Sequence, residues 1–105
     1  MSLRVGVDLD GTAACVYPLL LRALGPGRAE EFRASGAYDL SVVGVDEASF
    51  FRARSWIFAL ARPEPGAAEV LRCLAARGWE VFYLTSRPPW AEGLTVEWLA
   101  RWGFP

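Results

Sequence analysis

Residues 4 to 12 read RVGVDLDGT: two carboxylates, Asp8 and Asp10, end an apolar run, and Gly11 follows at once. On an extended chain, side chains two residues apart lean to one face and lie ~7 Å apart at about 3.3 Å of rise per residue. Carboxylates held that close raise each other's pKa or share a cation, and a divalent metal with oxygen ligands is the usual solution. Gly11 lets the backbone turn sharply away from the pair. A second polar group, Thr85, Ser86 and Arg87, follows the apolar run Val81, Phe82, Tyr83 and Leu84. Two hydroxyls and a guanidinium suit an anion.

Two plainer readings compete for the acidic pair. A calcium-binding EF-hand loop needs an acidic or amide residue where Thr12 stands and a helix in front of it, and both are missing. A solvated turn is the other reading, since Asp and Gly are common turn formers. The surrounding elements favour a site. Leu3, Val5, Val7 and Leu9 alternate with Arg4, Gly6, Asp8 and Asp10, the period of a strand. The run at 81 to 84 predicts a parallel strand covered on both faces. Ala67, Val70, Leu71 and Leu74 have helical spacing and stop at Gly78, and Leu94, Thr95, Trp98, Leu99 and Trp102 repeat the pattern before Gly103. The order strand, helices, strand, helix is that of a parallel crossover. In such sheets, sites lie at the carboxyl ends of strands, where both polar groups sit.

The segments VGVDLDGT and VFYLTSR together resemble motifs I and II of the haloacid dehalogenase (HAD) superfamily of aspartate-nucleophile phosphatases. YDL at 38 to 40, FF at 50 and 51, PEPGAAEVLRCLAARGWEVFYLTSRP and TVEWLARWGF are similar to its 5'(3')-deoxyribonucleotidase branch. The resemblance implies an α/β fold with a doubly wound, Rossmann-like parallel core and a small inserted helical cap. It implies a magnesium-dependent phosphomonoesterase acting on a small phosphorylated substrate, with nucleoside monophosphates the class indicated. Asp8 would be the nucleophile that forms an aspartyl-phosphate, and Asp10 the acid that protonates the leaving oxygen. Magnesium would take an Asp8 oxygen and the Asp10 main-chain carbonyl. Gly11, Thr85 and Ser86 would bind phosphoryl oxygens, and Arg87 is a further phosphate-binding candidate.

The chain also departs from that pattern. All 11 of its basic residues are arginine, so the motif III lysine is absent, and no motif IV acidic pair follows the last helix before Pro105. The expectation is a core shortened at its C-terminus, needing further polypeptide or a second copy of the chain to complete it. Cys15 and Val16 stand where the family commonly has Asp and Phe.

At 105 residues, 53% hydrophobic and 22% charged, the chain is expected to form one domain. Its parts are a core strand and loop at 1 to 12, a helical cap at 13 to 62 and a second core segment at 63 to 105. A net charge of -1 argues against a nucleic-acid polymer as partner. Leu19 to Leu21, the longest aliphatic stretch, is too short for a membrane span or a signal peptide, and the expected location is cytoplasmic. Cys15 and Cys73 lack zinc spacing and are expected as small buried residues. Within the cap, YPLLLRAL predicts a helix with Pro18 near its start, GPG breaks it, and DEASFFRARSWIFAL predicts one helix after Asp46. Its aromatics are too widely spread for a narrow buried stripe, and the nucleotidase resemblance implies an aromatic cap pocket that stacks on a base, with Phe51 and Trp56 the candidate positions. Three functions stay open: the phosphomonoesterase, a phosphate-binding or regulatory protein without turnover, and a phosphotransferase.

Overall fold

The structure is a computed structural model that describes residues 3 to 37 and 39 to 105. Tyr38, in the YDL segment, lies outside the described residues.

Strand β1 (Arg4–Asp8) pairs in parallel with β4 (Glu80–Leu84), Arg4 opposite Glu80 and Asp8 opposite Leu84. Between them run β2 (Ala14–Cys15), α1 (Tyr17–Leu24), α2 (Pro26–Ser35), a 3-10 turn (Leu40–Val43), α3 (Glu47–Ala53), α4 (Trp56–Leu60), β3 (Arg62–Pro63) and α5 (Ala67–Ala76). After β4 come a 3-10 turn (Pro89–Ala91) and α6 (Glu92–Arg101). The fold is mixed α/β, and the parallel sheet of the described residues has two strands, so the expected doubly wound core is present only as this strand pair. No helix of the described residues is long and apolar enough to cross a membrane.

Local sequence explains most boundaries. Pro18 and Pro26 open α1 and α2, where the first turn needs no N–H from them. Gly36, in the left-handed region, closes α2. The Asp46 carboxylate caps α3 by accepting from the Ser49 N–H at 3.3 Å. The segment expected as one helix after Asp46 is two: the chain breaks at Arg54, whose backbone leaves the helical region, and restarts at Trp56. That break turns Ile57 and Phe58 inward, both buried, and leaves Trp56 38% exposed.

The interior divides into two hydrophobic clusters. One gathers Leu9, Ala13, Ala14, Ala61, Ala68, Leu71, Trp98 and Phe104 against Val5, Val7, Val81 and Tyr83 of the sheet. The other, built from Leu20, Phe32, Leu40, Val43, Val45, Phe50 and Ile57, is the core of the helical insert. Val16 and Leu19 pack against both, and β2 pairs antiparallel with β3 at the base of the insert, Cys15 opposite Arg62. The sheet is covered on one face. On the other, the Phe82 ring lies over Gly6, where an added Cβ would come within 2.9 Å of it, and Leu84 is 53% exposed. Coverage of β4 on both faces is therefore corrected: α5 and α6 contribute Leu71 and Trp98 to the same cluster, on the same side.

The cysteines also differ from expectation. Cys73 is exposed on α5, and Cys15 is half-buried with its Sγ donating to Glu64 Oε2 at 3.4 Å. Burial, then the hydrogen bond and negative charge of Glu64, push the Cys15 thiol above its ordinary pKa. The thiolate is the reactive form, so iodoacetamide should modify Cys15 more slowly than a free thiol at pH 8, and Glu64→Gln should speed the reaction. A Cys15 rate equal to that of free thiol would contradict the contact.

Trp98 is 1% exposed, stacks on Phe104 and donates its indole N–H to the Ala61 carbonyl at 2.7 Å, joining α6 to the end of the insert. Trp98→Ala should cost about 3 to 5 kcal/mol. Trp98→Phe keeps most of the packing and should cost about 1 to 2 kcal/mol for the lost hydrogen bond. Urea denaturation midpoints of the two variants check the order.

Candidate functional site at the strand ends

The register that sets Asp8 against Leu84 brings the loops leaving β1 and β4 together, and the Leu9 N–H extends the pairing by donating to the Leu84 carbonyl at 3.2 Å. Beyond Asp8 the chain coils into a tight turn. Thr12 and Ala14 donate their N–H groups to the Leu9 carbonyl, Ala13 donates to that of Asp8, and Gly11 donates to that of Ala14. Gly11 has φ +82 with open space around its missing Cβ, so backbone conformation rather than crowding requires glycine there. Its N–H is spent inside the turn, which changes how the loop can serve an anion: the shape is built, but this amide is already bonded.

The two carboxylates have different surroundings. Asp8 is exposed, with the Thr12 hydroxyl 3.5 Å from its Oδ2. Asp10 is held by Arg87. The guanidinium donates from Nε to both Asp10 oxygens at 3.1 and 3.0 Å and from Nη2 to Oδ1 at 2.6 Å. The Arg87 side chain is 2% exposed and that of Asp10 29%. Its Nη1 donates to the Thr95 hydroxyl of α6 at 3.0 Å, and the hydroxyl donates in turn to the Ala91 carbonyl at 2.8 Å. The Phe58 ring of α4 lies 4.2 Å from the guanidinium carbon. The loop after β1, α4 and α6 thus meet on Arg87.

Asp8, Asp10, Gly11, Ser86 and Arg87 line one cleft of about 990 Å³ between the strand ends and the insert. Its insert side carries Val16, Leu20, Phe32, Phe51 and Phe58, with the charged Arg33 and Glu47 beside them. Phe51 stacks on Phe58 with ring centroids 5.1 Å apart. Trp56 is not among the lining residues, because the helix break aims it outward. Thr85 is turned elsewhere: its Oγ1 accepts from the Arg87 N–H at 3.0 Å, and it borders a smaller cavity shared with Pro89, Glu92 and Val96. Phe58, Arg33 and Glu47 line the cleft without a motif to mark them in the sequence, and Thr95 carries only its place in a helical pattern. Glu47 lines the cleft at the start of α3, and burial, followed by the charge of Asp39, pushes its carboxyl above the usual range. An acidic residue just after a helix cap reads as capping chemistry, so nothing local distinguishes it as a cleft residue.

No three His, Cys, Asp or Glu side chains among the described residues gather as a metal site. With Asp10 engaged by Arg87, Asp8 and Glu47 are the other carboxylates that line the cleft. One or two protein oxygens, with waters and phosphate oxygens completing the shell, fit magnesium better than metals that demand a full protein cage.

A family model described as "PITM 1-3, LNS2 domain" matches residues 42 to 105. No curated protein matches the chain. The match corrects the deoxyribonucleotidase assignment. DLDGT and TSR sit at strand ends, whereas Cys15 and Val16, in the insert, stand where the nucleotidase branch commonly has Asp and Phe. More than half of the chain follows the family model, across α3 to α6 and β4, and the chain therefore belongs to the PITM 1-3 LNS2 domain family, within the HAD-like superfamily.

Proposed function

We propose that the strand-end cleft binds a phosphate monoester and that Asp8 accepts its phosphoryl group. The observation that carries this reading is the exposed Asp8 carboxylate lining a cleft whose insert side presents several apolar side chains. A phosphate would meet Asp8, Thr12 and Ser86, and an apolar organic group would lie along Leu20, Phe32, Phe51 and Phe58. In the transfer step an Asp8 oxygen forms a bond to phosphorus as the ester oxygen leaves with the bonding pair, and water later cleaves the acyl phosphate. Magnesium held by the Asp8 carboxylate and the Asp10 carbonyl would offset the repulsion between that carboxylate and a dianionic phosphate.

Asp10 bears on turnover. With Arg87 donating three hydrogen bonds to it, its carboxylate is organised as an acceptor and not as an O–H donor. That favours a second reading, phosphate binding without turnover.

Two substrates separate the readings in the presence of magnesium. p-Nitrophenyl phosphate releases a phenolate that leaves without acid help, whereas glycerol 2-phosphate needs a proton at the leaving oxygen. Measurable release from the first, lowered roughly 10³-fold or more by Asp8→Asn, is the expected result. Asp10→Asn should slow glycerol 2-phosphate about 10²-fold if Asp10 still serves as acid, and leave the aryl ester within a few-fold. Inorganic phosphate binding that depends on Asp8, without release from either ester, would establish the second reading. Phosphate binding indifferent to Asp8→Asn would remove both.

A further inference from the structure

We propose that Arg87 is a positioning residue for Asp10 and not a ligand of the phosphate. This rests on the phosphate-binding reading of the cleft and refines it. An anion entering beside Asp8 and Asp10 meets two carboxylates, so one of them must be neutralised for binding to be favourable. Arg87 has the geometry for that. Nε and Nη2 grip the Asp10 carboxylate as a fork, and Nη1 is taken by Thr95. The side chain is 2% exposed, leaving little of the guanidinium for a ligand to reach. Thr95 on α6 and the Phe58 ring on α4 fix the arginine from two further sides, so the orientation of Asp10 depends on how the insert and the last helix pack. A lysine could supply the charge at this point but not the planar fork.

The distinction between positioning and direct binding is an interaction between two substitutions. A positioning arginine matters to phosphate only while Asp10 carries a charge to be held; a phosphate-binding arginine matters regardless of Asp10. The affinity of the full chain for inorganic phosphate, followed by calorimetry, should fall about tenfold in Arg87→Met. In the Asp10→Asn background, the same replacement should change it by less than about twofold. Thr95→Val and Phe58→Leu, which leave the charge in place, should each weaken binding about threefold with Asp10 present and not with Asn there. An equal loss in both backgrounds would overturn the proposal, because Arg87 would then touch the ligand itself.

A second measurement needs no ligand. In proton–nitrogen NMR spectra, the Arg87 Nε–H should exchange slowly with solvent in the native chain and become fast-exchanging in Asp10→Asn. Arg87→Lys should keep the fold by circular dichroism and recover part of the phosphate affinity lost in Arg87→Met. If the native chain binds no phosphate, the reading of the cleft fails, and the Nε–H exchange alone decides the role of Arg87: slow and Asp10-dependent exchange supports it, whereas fast exchange in the native chain overturns it.

Discussion

The Asp10–Arg87 ion pair is the contact on which the site depends. It joins residues 77 positions apart and closes the carboxyl ends of two parallel strands over a cleft. A carboxylate taken from water loses hydration that only a close, well-bonded cation can replace, and a bidentate guanidinium does so better than any other side chain. Because Arg87 is nearly fully buried, its remaining polar contacts had to come from protein, and Thr95 provides one. The pair therefore sets more than a local charge balance. It ties the loop after β4 to the loop after β1 and, through Thr95, to α6.

The helical insert depends on this junction from the other side. Its own cluster around Leu40 and Ile57 is separate from the cluster under the sheet, with Val16 and Leu19 touching both. The short β2–β3 ribbon holds its two ends together, and Phe58 carries it onto Arg87. Small displacements of the insert would thus move the apolar wall and the ring against Arg87 together, which makes the width of the cleft and the placement of Asp10 linked properties. The radius of gyration, 15.3 Å against about 13 Å expected for a compact chain of this size, fits two clusters set side by side.

Periodicity made the elements readable. Alternation at residues 3 to 9 and the apolar run at 81 to 84 located both strands to within a residue or two, and the spacing of Leu71 and Trp98 located two helices. What periodicity cannot express is which partner a polar residue takes. Arg87 read as an anion ligand because its local neighbours are hydroxyls, while its actual partners, Asp10 and Thr95, are set by the meeting of strand ends and by α6. Phe51 and Trp56 looked equivalent as aromatics in one helical run, and the break at Arg54 placed one in the cleft wall and the other toward solvent. The motifs likewise pointed to the HAD-like superfamily and not to the family branch, because the insert side of the cleft is built from residues that carry no distinctive spacing.

The most direct measurement is a crystal structure of the chain grown with magnesium and beryllofluoride, a mimic of an acyl phosphate. The expected result is beryllium bonded to an Asp8 oxygen, its fluorides within the cleft, with Arg87 still paired to Asp10. A mimic bound away from Asp8, or an Arg87 that has left Asp10 to contact the fluoride, would contradict it.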